Sequence, residues 1–206
     1  MTTRTTTARR RNTKTSFLRE IAPILPEQGE WSEADYLWLT NRTNRLIELS
    51  DGRIEVLPMP TEKHQAILLY LYRAFFPVIE QLGGKVFVAA LRLHLATERF
   101  REPDLLLLLA ADDPRRHNEY WEGADLVVEV VSPDDPRRDL VQKRREYAEA
   151  GIPEYWIVNP QTETISVLRL EGTKYAEHGV FQRGDQATSA LLAGFQVSVD
   201  AVFDAN

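Results

Sequence analysis

The sequence predicts an α/β domain with a central mixed β-sheet flanked by helices, an N-terminal β-hairpin and a β-rich C-terminal part. Three observations carry this. Short continuous apolar runs at 105–109 and 126–131 have the composition of central strands buried on both faces. Helical periodicity occupies the intervals 61–82 and 139–150, so strands and helices interleave. An Asp-Gly pair between two short apolar-polar alternations marks a hairpin near the N-terminus.

Taken in order, residues 1–16 are rich in Thr and Arg and nearly devoid of large apolar side chains. Burial there cannot offset ordering entropy, so a disordered basic arm is expected, with Arg9, Arg10, Arg11 and Lys14 solvated rather than seated on phosphates. One folded domain is expected over 25–203. Ser32 precedes Glu33, Asp35 and the apolar Tyr36, Leu37 and Leu39, the pattern of an N-capped short helix ending before Asn41.

Residues 45–49 and 54–57 flank Asp51-Gly52, and a two-residue turn pairs Leu49 with Ile54 and Glu48 with Glu55. Two carboxylates set directly opposite repel. Arg53, on the same face, is expected to relieve them ahead of a metal or a lysine. From Thr61 to Leu82 the residues Ile67, Leu68, Leu71, Phe75, Val78, Ile79 and Leu82 recur at helical spacing, with Thr61 as cap and Gly83-Gly84 as terminator. His64 falls in the first turn, where a lone histidine is more often structural than a ligand.

Beyond that helix, 86–95 reads as one strand with a polar face, since Leu91, Leu93 and Leu95 alternate with Arg92 and His94. The helix at 139–150 is closed by Gly151 with Pro153 beyond it. Strands are expected at 155–158 and 164–170, joined by Asn159-Pro160-Gln161.

Composition excludes several classes of function. With no cysteine in the chain there is no disulfide framework, no thiolate metal site and no thiol nucleophile, which leaves oxygen and nitrogen ligands and favours hard ions. A net charge of −6 argues against coating nucleic acid by bulk attraction, so any such contact must be local. Neither a long apolar run nor a basic-then-apolar N-terminus is present, and a cytoplasmic protein that makes no membrane contact is expected.

Two carboxylates are out of place. Glu129 interrupts the run Leu126, Val127, Val128, Val130, Val131, and period-two alternation puts it on the face of Val127 and Val131. Asp104 opens the preceding buried run, just after Pro103. A charge in a core strand is costly unless it is paired or binds a metal. If the runs are neighbours, both groups reach a common point at the sheet edge, as a hard cation requires; salt bridges to separate arginines or lysines are the alternative. On the next helix Asp139, Lys143 and Tyr147 are spaced four apart and share a face. Alone, that is an ordinary Asp–Lys pair; packed against the sheet, the ammonium would face both carboxylates.

These residues resemble the Uma-two family, a branch of the PD-(D/E)XK nuclease superfamily. The likeness runs from about Leu25 to Phe203 and rests on Leu-Pro-Glu-Gln-Gly-Glu-Trp-Ser-Glu (25–33), Leu-Ile-Glu-Leu-Ser-Asp-Gly-Arg-Ile-Glu-Val-Leu-Pro-Met-Pro (46–60), Arg-Glu-Pro-Asp (101–104), Val-Val-Glu-Val-Val-Ser-Pro (127–133) and Glu-Tyr-Trp-Ile-Val-Asn-Pro (154–160). It implies a restriction-endonuclease-like fold and a catalytic set of Asp104, Glu129 and Lys143. The superfamily's usual lysine, two residues after the strand acid, is replaced here by Val131, so the role passes to Lys143 on the helix, or is shared with Gln142.

The resemblance further implies metal-assisted phosphodiester hydrolysis, with Mg²⁺ or Mn²⁺ on Asp104, Glu129 and the Val130 carbonyl. Glu55, His64, Asp139, Gln142 and Tyr147 are the expected supporting groups. Arg99 and Arg101, Arg115 and Arg116, and Arg137, Arg138, Arg144 and Arg145 are candidate phosphate contacts. Nucleic acid, DNA ahead of RNA, and a second copy of the chain are the expected partners. A catalytically silent binding module on the same fold, or an RNA-directed nuclease, stays open at this point.

Overall fold

The computed structural model describes residues 25–206, so the expected basic arm lies outside the described residues. Helix α1 (Glu33–Thr40) starts at Ser32, whose side chain accepts from the Asp35 amide while Asp35 answers the Ser32 amide. Strands β1 (Ile47–Ser50) and β2 (Arg53–Val56) form the expected hairpin in the expected register, Leu49 opposite Ile54 and Glu48 opposite Glu55. Asp51 and Gly52 both have positive φ, 51° and 69°, as a two-residue turn of this hand requires. A Cβ on Gly52 would stand 2.6 Å from the Gly29 carbonyl oxygen, so the turn tolerates only glycine there.

Helix α2 (Glu62–Gln81) is capped by Thr61 and buries Ile67, Leu68, Leu71, Phe75 and Ile79. Next come β3 (Lys85–Val88), β4 (Arg92–Ala96), β5 (Arg99–Arg101), β6 (Leu105–Leu108), β7 (Tyr120–Trp121) and β8 (Leu126–Val130). The single strand expected at 86–95 is therefore two. Val88 pairs with Leu105 and the Ala89 amide donates to the Asp104 carbonyl, after which the chain leaves that sheet and β4 enters another. The alternation of Leu91, Leu93 and Leu95 belonged to the second piece alone.

Helix α3 begins as a π-helical turn (Arg138–Lys143) and continues as α-helix (Arg144–Glu149), with Gly151 at φ 76° closing it. Strands β9 (Glu154–Asn159), β10 (Thr164–Glu171), β11 (Lys174–Phe181), β12 (Gln186–Thr188) and β13 (Gln196–Ser198) follow, and a short helix α4 (Val199–Phe203) ends the fold.

Among the described residues the strands form a six-stranded mixed sheet ordered β11-β10-β9-β8-β6-β3, a five-stranded sheet ordered β2-β1-β5-β4-β7, and the pair β12-β13. The hairpin thus belongs to a second sheet and not to the central one. β8 and β9 are parallel, which requires a crossover, and α3 is that crossover. Its Tyr147 and Ala148 pack on one face of the six-stranded sheet, against Leu106, Leu108, Val127 and Tyr155. Helix α2 covers the opposite face, against Leu105, Leu107, Val128 and Trp156. Trp31, Tyr36, Ile47, Leu49 and Phe100 form a smaller core under the five-stranded sheet.

Candidate active site

Strands β6 and β8 are antiparallel neighbours, with Leu105 opposite Val128 and Leu106 opposite Val127. Continued by one pair, that register sets Asp104 opposite Glu129, on the face that α3 covers. β6 stops short, so the amide of Val130 has no strand partner on that side. Asp104 Oδ2 supplies it, accepting from Val130 N at 2.7 Å, and lies 3.2 Å from His64 Nε2 at the start of α2. In a strand the amide and carbonyl of one residue project to the same side, which directs the Val130 carbonyl toward Asp104 as well.

Glu129 is 3% exposed. Its Oε1 accepts from Lys143 Nζ at 2.8 Å and from Tyr147 OH at 2.6 Å, both presented by α3. The same ammonium stands 3.2 Å from Glu48 Oε1 and 3.5 Å from Asp139 Oδ1. Lys143 is 3% exposed, so the solvated Asp–Lys pair considered from spacing alone does not describe it. Tyr155 OH donates to the Asp139 carbonyl at 3.1 Å, tying the π turn to β9.

The charges do not balance pairwise. Burial pushes the Glu129 carboxyl up to about 8 against the pull of Lys143, with Asp104, Asp139 and Glu48 adding repulsion. Asp139 is raised by burial, again against Lys143. Lys143, which burial alone would lower, is raised because Glu129, Glu48 and Asp139 surround it. His64, lowered by burial, is raised overall by Asp104. Burial and Glu48 push Glu102 up to about 7. More carboxylates than cations converge here, an arrangement that a further positive charge relieves.

Glu48 was singled out in the sequence only for its clash with Glu55, and the relief is not the one expected. Arg53 is exposed. Instead, Lys143 and Arg101 receive Glu48, whereas Arg138 bonds Glu55 on the other strand. Burial would raise Glu48, but Lys143 and Arg101 outweigh it and hold the carboxyl near 2. Arg101 Nη1 lies 2.8 Å from Glu48 Oε2, and its Nε and Nη2 grip Glu146 on α3 at 2.7 and 2.8 Å. Continuing the pairing of Leu49 with Phe100 makes Glu48 and Arg101 cross-strand neighbours. This buried clamp joining the second sheet to α3 was missed in the sequence; an Arg-Glu pair next to the Pro-Asp motif was the available signal.

Several expected phosphate contacts are committed elsewhere. Arg99 reaches Asp51 and Glu149, Arg101 is buried, Arg115 holds Asp113 and Asp125, and Arg116 bonds the Ala111 carbonyl. Arg137, Arg144 and Arg145 are exposed. Gln142 does not join the lysine: its amide donates to Glu146 Oε1 at 3.2 Å. Glu55 is half exposed beside Arg138, at the margin of the site.

Asp104, Glu129, Lys143, Asp139 and His64 line one cavity of about 380 Å³. Among the described residues no three His, Asp or Glu side chains stand so that they could hold a metal ion together. The oxygens facing this cavity nonetheless suit a hard cation of the magnesium kind, which is commonly held by one or two carboxylates and completed by water and substrate phosphate. Among the described residues Glu129 Oε2 and Asp104 Oδ1 carry no hydrogen bond, and the Val130 carbonyl lies on their side.

A mixed sheet flanked by helices, with an Asp and a Glu at the ends of adjacent core strands, defines a restriction-endonuclease-like fold. The chain belongs to the Uma2 family, whose model, described as "Putative restriction endonuclease", matches residues 33–200. It is similar in fold to a solved structure titled as "a putative nuclease belonging to DUF820" from Anabaena variabilis ATCC 29413. That likeness has a TM-score of 0.69 and 22% identity, and covers 84% of this chain and 97% of that one. Comparison with curated proteins finds no match.

Proposed function

We propose that this chain is a metal-dependent endonuclease that hydrolyses phosphodiester bonds in DNA. The observation that carries the reading is the convergence of Asp104, Glu129 and Lys143 on one cavity from two adjacent strands and the helix packed over them. Membership of the Uma2 family supports it.

Asp104, Glu129 and the Val130 carbonyl would hold Mg²⁺ or Mn²⁺, which supplies Lewis acidity toward water and neutralises phosphate charge. The chain's own groups do the rest. His64 and the Val130 amide fix one oxygen of Asp104 and leave the other free. Lys143 and Tyr147 do the same for Glu129. The Lys143 ammonium, among three carboxylates, would donate to a phosphoryl oxygen in place of one of them as charge develops on it. Such stabilisation is greatest where water is excluded, as it is around a residue buried to this degree.

The test is incubation with plasmid, single-stranded DNA and RNA, with and without Mg²⁺ or Mn²⁺. Metal-dependent cleavage of DNA, lost in Asp104→Asn and Glu129→Gln, is the expected result. Cleavage of RNA alone would move the substrate, and metal-dependent nucleic-acid binding with no cleavage in any arm would make the fold a silent binding module.

A further inference from the structure

We infer that Glu48 is a positioning residue for Lys143: the second sheet presents a fixed carboxylate that sets where the ammonium stands beside the strand acids; this rests on the nuclease reading. Three carboxylates surround Lys143 Nζ, and they differ in what they can fix. Asp139 lies one turn away on the same helix, and its contact is the longest, at 3.5 Å. It holds the side chain against its own helix and against no other element. Glu129, at 2.8 Å, is the group asked to bind the cation, and a cation there competes with the ammonium for the same carboxylate. Glu48, at 3.2 Å, comes from β1, outside both the helix and the six-stranded sheet.

Glu48 has no freedom to follow the lysine. It is 0% exposed, its Oε1 accepts from the Glu102 amide at 3.1 Å, and its Oε2 accepts from Arg101 Nη1 at 2.8 Å. The other two nitrogens of that guanidinium bond Glu146, three residues beyond Lys143 on α3. The contacts therefore close a ring of alternating charge, from Lys143 through Glu48, Arg101 and Glu146 back to the same helix.

A lysine side chain is long and flexible, and holding it in place before substrate arrives removes an ordering cost from the reaction. A misplacement of about 1 Å at a reacting group can cost on the order of a hundredfold in rate. Charge balance and positioning make different demands on Glu48. For balance alone any carboxylate nearby would serve, whereas for positioning the length of the side chain matters.

The experiment uses the full chain and Glu48→Asp, which keeps the charge and shortens the reach by one methylene. Melting temperatures are taken first, and kinetics are measured where each variant is folded. Single-turnover cleavage of plasmid in Mg²⁺ is expected to slow roughly tenfold or more, while binding of a labelled fragment of that plasmid in Ca²⁺ changes by less than about twofold. In the Lys143→Met background Glu48→Asp is expected to add less than about twofold, because its effect passes through the ammonium. Arg101→Lys, which leaves Glu48 its carboxylate but loosens its anchor, is expected to share the defect and carries the test if Glu48→Asp does not fold. A wild-type rate in Glu48→Asp, or an equal loss in both backgrounds, would overturn the inference while leaving the nuclease reading intact. No plasmid cleavage by the wild type would overturn the reading of a DNA nuclease. Crystal structures of the wild type and Glu48→Asp then decide the positioning by themselves: Nζ shifted away from Glu129 supports it, and Nζ unmoved overturns it.

Discussion

Lys143 Nζ stands 2.8 Å from Glu129 Oε1, an ammonium from the crossover helix meeting a carboxylate in the middle of a core strand. Two further carboxylates share that ammonium. The lysine thus balances an acidic cluster in the resting protein and is also the cation bonded to Glu129.

Replacing Lys143 with Met separates those two roles. Without the ammonium, Glu48, Glu129 and Asp139 lose their shared counter-charge, and removing one partner of a buried pair typically costs about 3–5 kcal/mol. An added cation then has less competition. The expected outcome for Lys143→Met is a lower melting temperature without metal, Mn²⁺ binding at least as tight as in the wild type, and single-turnover cleavage reduced roughly a hundredfold or more. Calorimetric titration with Mn²⁺ alongside the cleavage assay checks it, and near wild-type cleavage would remove the catalytic assignment of Lys143.

Glu48 gives a pH-dependent prediction. Its folded pKa, near 2, lies below the ordinary carboxylate value, so it contributes stability that is present above about 4.5 and is lost as pH falls toward 2. At about 1.4 kcal/mol per unit, the contribution at neutral pH is on the order of 3 kcal/mol. Glu48→Gln is expected to be destabilised by about that much at pH 7, with the gap closing on acidification. Urea denaturation of both proteins at pH 7, 4 and 3 reads this out; a gap independent of pH would show that the carboxylate charge is not what stabilises.

Arg101 joins the second sheet to α3 through Glu48 and Glu146, and its planar fork matches the Glu146 carboxylate at two points. Arg101→Met is expected to lose about 3–5 kcal/mol because two buried carboxylates lose the guanidinium they share, Glu48 keeping Lys143 and the Glu102 amide and Glu146 only the Gln142 amide. Arg101→Lys should recover only part, since an ammonium cannot make the paired bonds. Thermal melts of the two variants decide it, and full rescue by lysine would reduce the clamp to simple charge balance.

Much of this was readable from residue order because the signals are local. The hairpin register followed from Asp51-Gly52, the starts of α1 and α2 from Ser32 and Thr61, and the buried strands from short apolar runs. Asp104 and Glu129 were visible as charges where charges are costly. What was not readable is long-range. Whether the hairpin joined the central sheet or a second one depends on pairing between β1 and β5, some fifty residues apart in sequence, and no local pattern encodes it. For the same reason Glu48 looked like a partner for Arg53, when its partners come from β5 and α3. Sequence shows charge but not the groups folded against it, as at Arg99, Arg101, Arg115 and Arg116, whereas Arg137, Arg144 and Arg145 stay exposed.

The proposed activity requires Asp104 and Glu129 to act together on one cation in phosphodiester hydrolysis. It is tested by cleavage of plasmid and single-stranded DNA in Mg²⁺ by the wild type, Asp104→Asn and Glu129→Gln, with Mn²⁺ binding measured on the same preparations. Metal-dependent cleavage by the wild type is expected, and in each variant a loss of cleavage of at least a hundredfold together with clearly weakened Mn²⁺ binding. Cleavage that continues in either variant, or in the wild type with all divalent ions chelated, would contradict it.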